Sequence, residues 1–168
     1  MLTAHEIFGF MSPTLAGEIL AYTFESDKPL YRTTLNAVAE ARKVRTVFLE
    51  RQPRAQRHAT MLAVISRPAM EAVAGTLLRN WLVKKESAML AQFLDALEIK
   101  NDKGVVENLP PAVDDAKLHA AVEGLLANHP PEAVAVYLLA FNDMNEANWP
   151  NLKVMLETDA RLQLGNRA

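Results

Sequence analysis

Apolar residues recur every three or four positions along most of this chain, and Pro, Ser, Asp and Asn separate one run from the next. Ser12-Pro13 reads as a helix start, a side-chain cap followed by Pro in the first turn. The spacing predicts a helix from Leu15 to about Phe24, stopping near Ser26. Asp27 caps a second start at Lys28-Pro29. That second helix is predicted to reach about Arg51, with Leu30, Val38, Ala41 and Phe48 on one face. Pro53 ends or kinks it, because Pro lacks an N–H and restricts the residue before it. A third helix follows to about Ile65, and Ser66 caps a fourth that begins near Pro68.

The fourth helix carries Met70, Val73, Ala74, Leu77 and Trp81 at helical spacing, but past Lys84 the apolar face jumps to Leu90, Phe93, Leu94 and Leu97. One unbroken helix would expose one of these faces, so a break is predicted near Lys85-Glu86-Ser87, with Ser87 as cap. Asn101-Asp102-Lys103-Gly104 is a turn signal, and Val105 to Leu109 reads as extended before Pro110-Pro111. Asp114 caps a sixth helix through Leu118, Val122, Leu125 and Leu126. Asn128 to Pro131 stops it and restarts the chain. Glu132 to Asn142 is apolar all round, the mark of a buried central helix. Asn148-Trp149-Pro150 opens a last short helix through Leu156, and the tail from Asp159 is expected to be loosely held.

The fold expected is therefore all-α: seven to nine helices in one domain spanning 1–168, a bundle or a short stack of helical hairpins around the Glu132–Asn142 helix. A weak echo supports the hairpin version. Leu77-Leu78-Arg79-Asn80 precedes an apolar helix from Ser87 much as Leu125-Leu126-Ala127-Asn128 precedes one from Glu132.

Composition narrows the chemistry. Half of the 168 residues are apolar and 23% are charged, a globular balance. There is no cysteine, which removes disulfides, thiolate metal sites and cysteine nucleophiles. No basic leader followed by an apolar run is seen at the start, so a cytoplasmic location is expected and no membrane is called for. No HExxH, Walker-type loop, GxGxxG, GxSxG or helical Glu-x-x-His is present. No catalytic residue, metal or cofactor is assigned from the sequence.

The net charge of −2 conceals a strong asymmetry. Residues 1–27 sum to −4, residues 28–85 to +9 and residues 86–168 to −7. The chain thus has a basic-rich part within 1–85 and an acidic part over 86–168. The basic charge concentrates in ARKVRTVFLERQPRAQRHA, residues 41–59. Arg42, Arg45, Arg51, Arg54, Arg57 and His58, with Arg67 further on, form the candidate binding set. Arginine suits such a surface because its fork holds paired oxygens of carboxylates or phosphates. The same charge could equally be matched internally by the acidic part.

Two of these residues sit oddly. Arg45 falls inside the arc of Val38, Ala41, Phe48 and Leu49. His58 falls inside the arc of Met61, Leu62 and Ile65. Buried charge needs a partner. Three readings follow: an internally satisfied pair, a groove that takes an anion or a partner's carboxylate, or a general acid or base at His58 with Arg45 stabilising charge. Asp115 and His119 form an i, i+4 pair that reads either as half a metal site or as a surface pair. His5 and His129 are expected to be solvated.

The leading functional expectation is a non-enzymatic interaction module whose basic hairpin, about Arg42 to Arg67, binds an acidic partner, a protein or a second copy. The alternative is a nucleic-acid-binding accessory protein making phosphate contacts with the same face. A helical enzyme around Arg45 and His58 is the third reading. Protein docking predicts exposed apolar residues beside the arginines, nucleic-acid binding an affinity that falls steeply with salt, and an enzyme a concave pocket holding His58.

Overall fold

A computed structural model describes residues 1–165. About 72% of them are helical, in ten α-helices and two short 3₁₀ turns, and no strand is present among the described residues. The chain is an all-α, multi-helix protein, as its periodicity predicts. It divides into two compact units, Thr3–Trp81 and a second that begins at Leu82 and takes in Met1–Leu2. None of the described helices is by itself long and apolar enough to cross a membrane.

The N-terminal unit contains α1 (Ala4–Phe10), α2 (Pro13–Ser26), α3 (Lys28–Ala41), α4 (Thr46–Glu50), α5 (Arg54–Ile65) and a 3₁₀ turn at Pro68–Met70, and α6 (Glu71–Lys84) runs through its boundary. The local caps act as read. Ser12 Oγ accepts from the Leu15 amide at 3.1 Å and Asp27 Oδ1 from the Leu30 amide at 3.1 Å. Asp27 alone joins α2 to α3, so the two helices pack as a hairpin with Phe24 and Tyr31 edge to face at 5.1 Å. α5 packs against α1, α2 and α3. Ile7, Phe8, Ile19, Leu20, Met61 and Ile65 are fully enclosed, each worth about 1.5–3 kcal/mol of burial.

The second helix does not reach Arg51. It stops at Ala41, because Lys43 takes the left-handed conformation (φ 56°). The Lys43 amide then donates to the Glu40 carbonyl and the Val44 amide to the Ala39 carbonyl, both at 3.0 Å, the pairing that closes a helix with a residue of positive φ. The chain restarts as α4, which buries only Leu49. α1 was not expected as a helix. Its first amides are capped from far along the chain: Glu71 Oε1 accepts from Ala4 N at 3.0 Å and Oε2 from His5 N at 2.9 Å. His5 is therefore tied to Glu71, its Nδ1 2.5 Å from Oε2, and is not solvated.

In the second unit α7 (Ser87–Ala96) packs on α8 (Asp115–Asn128), and α9 (Pro131–Met144) packs on α8, α10 (Pro150–Thr158) and a 3₁₀ turn at Ala160–Leu162. Every residue of α9 from Ala133 to Asn142 is buried, as its all-round apolarity predicts. Phe93, Tyr137, Phe141 and Trp149 meet in a chain of tilted and edge contacts. The tail is held more firmly than expected. Leu162 is fully enclosed, and Arg161 forks onto Glu123 and Asp159. Only its last three residues, 166–168, lie outside the described part.

Two expected caps take other roles. Ser87 is the first helical residue of α7 and Glu86 the cap position, and Ser66 Oγ bonds back to the Ala63 carbonyl at 3.3 Å. The helix break at residues 85–87 is nonetheless where the shift of apolar face demands it. His129 bonds Gln92 at 3.0 Å and is half-buried. Residues 105–109 lack helix, and a single bridge pairs Asp102 with Val105 around Gly104 (φ 88°). A Cβ on Gly104 would stand 2.4 Å from the Leu90 Cβ. Gly104→Ala is therefore expected to cost about 2 kcal/mol or more, from backbone strain and overpacking together, read as a lower urea midpoint. An unchanged midpoint would contradict this geometry.

Candidate functional site

The seven candidate residues fall into three groups. Arg42, Arg45 and Arg51 occupy the ends of short elements: Arg42 closes α3, Arg45 opens α4 and Arg51 closes it. All three are exposed, as is Lys43 between them. None of these four forms an ion pair among the described residues. Arg45 is thus not buried. The helix break at Lys43 swings it out of the arc in which a continuous helix would have placed it.

The same break exposes Phe48. The unbroken period makes it a core residue, yet it is 58% exposed and Val47 44% exposed. Arg45 and Arg51 flank α4 at its two ends, each three residues from Phe48. The Phe48 amide bonds the Arg45 carbonyl at 3.0 Å, which fixes that spacing. A five-residue helix cannot stand alone. It is held by Leu49 beneath, by Arg32–Glu50 at 3.1 Å, and by Thr46 Oγ1 donating to Asn36 Oδ1 at 2.8 Å. The anchors all lie on α3 or point inward, and the outward side carries two apolar residues rimmed by cations.

Arg54 and Arg57 are used internally. Arg54 pairs with Glu25 at 3.3 Å and lies over the Phe24 ring at 4.9 Å. Arg57 Nε donates to the Tyr31 hydroxyl at 2.8 Å, and its Nη1 donates to the Glu50 carbonyl at 3.3 Å. Arg67 belongs to neither group. It is exposed at the far end of α5, roughly 18 Å of helix from Arg54 at 1.5 Å per residue.

His58 is the buried member, 9% exposed. Its Nε2 lies 3.0 Å from the Tyr31 hydroxyl, with the rings edge to face. Arginine can only donate, so Tyr31 accepts from Arg57. The chain of donors and acceptors is consistent when Tyr31 passes its own proton toward Nε2, leaving the His58 proton on Nδ1. Burial, reinforced by the charges of Arg57 and Arg54, pushes the His58 pKa down to about 4. Burial likewise raises the Tyr31 phenol, against the pull of Arg57 and Arg54. His58 is a neutral imidazole at pH 7. Nothing in the sequence marked Tyr31, whose role arises from the packing of α3 on α5.

The remaining pair does not form a metal site. Asp115 accepts from Asn151 Nδ2 at 2.7 Å, while His119 turns toward Glu123. No group of three His, Asp or Glu side chains arranged for a metal occurs among the described residues. No protein-family model matches this chain, and neither a curated protein nor a solved structure matches it.

The buried imidazole has a measurable consequence. Between about pH 6.5 and pH 4 the unfolded chain binds a proton at residue 58 that the folded chain resists. Stability should fall as pH drops through that window, by about 2–3 kcal/mol from this residue. Urea unfolding at pH 7 and pH 4.5 should show a larger loss in the wild type than in His58→Gln. Equal losses would mean that the folded protein does not hold His58 neutral.

Proposed function

We propose that this chain is a non-enzymatic interaction module that docks an acidic protein segment on the elbow between α3 and α4. Phe48 and Val47 form the apolar centre of that surface, and Arg42, Lys43, Arg45 and Arg51 its charged rim. The observation that carries this reading is an exposed aromatic side chain near cations that have no ion-pair partner among the described residues. Docking surfaces concentrate their energy in aromatic and arginine residues, with polar groups around them. Unpaired rim charge of one sign steers an acidic partner and speeds its arrival. Arg54 and Arg57 support the surface from within. They tie α5 to α2, α3 and the end of α4, and so hold the elbow in place.

An enzymatic reading has less to stand on. His58 faces a tyrosine and two arginines, no carboxylate is positioned on it among the described residues, and Arg45 is exposed outside the buried arc. A second reading does gain from the geometry. An exposed Phe48 beside guanidinium groups is also a platform on which a nucleic-acid base could stack.

Fluorescence anisotropy separates the two. The probes are a labelled peptide of alternating Glu and Leu and a labelled single-stranded oligonucleotide, each across a salt series. The protein reading predicts that the peptide binds, that Phe48→Ala weakens it about tenfold or more, and that Arg45→Glu with Arg51→Glu weakens it further, most at low salt. The variants should fold normally, since all three side chains are exposed. Peptide affinity untouched by Phe48→Ala contradicts the proposal. Oligonucleotide binding with a log–log salt slope near about −3, four cations releasing counterions, would favour the second reading.

A further inference from the structure

A second feature of the N-terminal unit is separate from the elbow. A half-open cavity of about 660 Å³ lies at the surface between α1, α2 and α5, within the size range of sites that hold small molecules. Phe8, Met11 and Leu62 supply apolar walls. From α5 it is lined by Ala55, Ala59 and Ala63, four residues apart along one face, which leave the space unfilled. Gly17 is informative. It sits within α2, where glycine weakens a helix. A Cβ at that position would meet nothing within 4 Å, so packing does not call for glycine there. What its missing side chain does is leave the cavity open.

One strongly directional polar group enters this apolar space. His58 lines it, and the side chain is nine-tenths buried. Its Nε2 is taken up by Tyr31, whereas Nδ1 has no hydrogen-bond partner among the described residues. The other hydroxyls that line it are Thr14, which is exposed, and Ser66, which bonds the Ala63 carbonyl. Behind the ring stand Arg57, bonded to Tyr31, and Arg54, paired to Glu25. Both act on the imidazole through their positive charge.

We infer that this cavity binds a small apolar molecule carrying one carboxylate, the hydrocarbon part lying against Phe8, Met11 and Leu62 and the carboxylate accepting from His58 Nδ1. The donor is matched to an acceptor, and the positive field behind it selects an anion over a neutral acceptor. A charged carboxylate at Nδ1 would also offset the repulsion that keeps His58 unprotonated, so occupancy should draw a proton onto the ring.

The test is a titration of the full chain with octanoate, and separately with octan-1-ol, followed by NMR of the His58 ring and of the backbone amides. Octanoate is expected to shift the Gly17 and Ala59 amides, to move the His58 ring titration to higher pH, and to bind at least tenfold more tightly than octan-1-ol. Gly17→Leu projects a side chain into open space while improving helix propensity, so it should fold and should abolish these shifts. Equal affinity for the alcohol, undiminished binding in a folded Gly17→Leu, or no shift at His58 at tens of millimolar octanoate would each overturn the assignment. Shifts confined to residues 42–51 would also overturn it, since they would show the anion held by the elbow alone.

Discussion

The left-handed turn at Lys43 is the constraint on which the N-terminal unit depends. A non-glycine residue at positive φ costs about 1–2 kcal/mol. The turn recovers this by satisfying two of the amides that follow the helix end and by freeing Leu49 to insert as the sole buried residue of α4, worth about 1.5–3 kcal/mol. Every distinctive feature of the basic segment follows from the change of direction. Arg45 leaves the buried arc, Phe48 and Val47 turn outward, and Glu50 comes within reach of Arg32 on α3 and, through its carbonyl, of Arg57 on α5. Ile99 and Glu98 close α7 by the same device, the Ile99 amide reaching the Leu94 carbonyl while Glu98 sits at φ 58°. The chain ends both helices without glycine.

The density of arginine in residues 41–59 resolves into a division of labour. Arg54 and Arg57 are structural. Their guanidiniums cover Phe24 and Tyr31 and meet Glu25, the Tyr31 hydroxyl and a carbonyl, all within the same unit. Exposed ion pairs such as Arg54–Glu25 add little each, whereas the Arg57–Tyr31–His58 chain is largely enclosed and fixes the register of α3 on α5. Arg42, Arg45 and Arg51 are exposed and form no ion pair among the described residues. Of the two uses the sequence left open, the internal one holds for Arg54 and Arg57.

Much of the architecture was legible because caps and breakers are local. Ser12, Asp27, Pro53, Pro68, Asp114, Pro131 and Pro150 mark the helix starts they should, and the all-round apolarity of residues 133–142 reports the burial of α9. Most of the failures share a cause, which is that the deciding group lies elsewhere in the chain or leaves no compositional trace. α1 is the exception in part: Glu71 caps it from far along the chain, but the Thr3 amide also donates to Glu6, a local capping signal that the sequence carries. Leu162 packs where nothing in the tail's own sequence points. Lys43 breaks its helix without the glycine that would announce it, so Arg45 and Phe48 were read on the wrong side. His58 was correctly marked as a polar residue in an apolar arc. Its partner Tyr31 carried no signal, because a tyrosine at helical spacing looks like any other core aromatic.

Replacing Lys43 with glycine tests this account most directly, because the two alternatives predict opposite signs. If Lys43 sits in the left-handed turn, glycine relieves strain and Lys43→Gly should raise unfolding stability by about 0.5–1 kcal/mol, read as a higher urea midpoint. If the helix instead ran on through residue 43 toward Arg51, glycine in its interior would lower stability by about 1 kcal/mol. A fall in the midpoint would return Phe48 and Arg45 to the buried arc and remove the basis for the proposed docking surface.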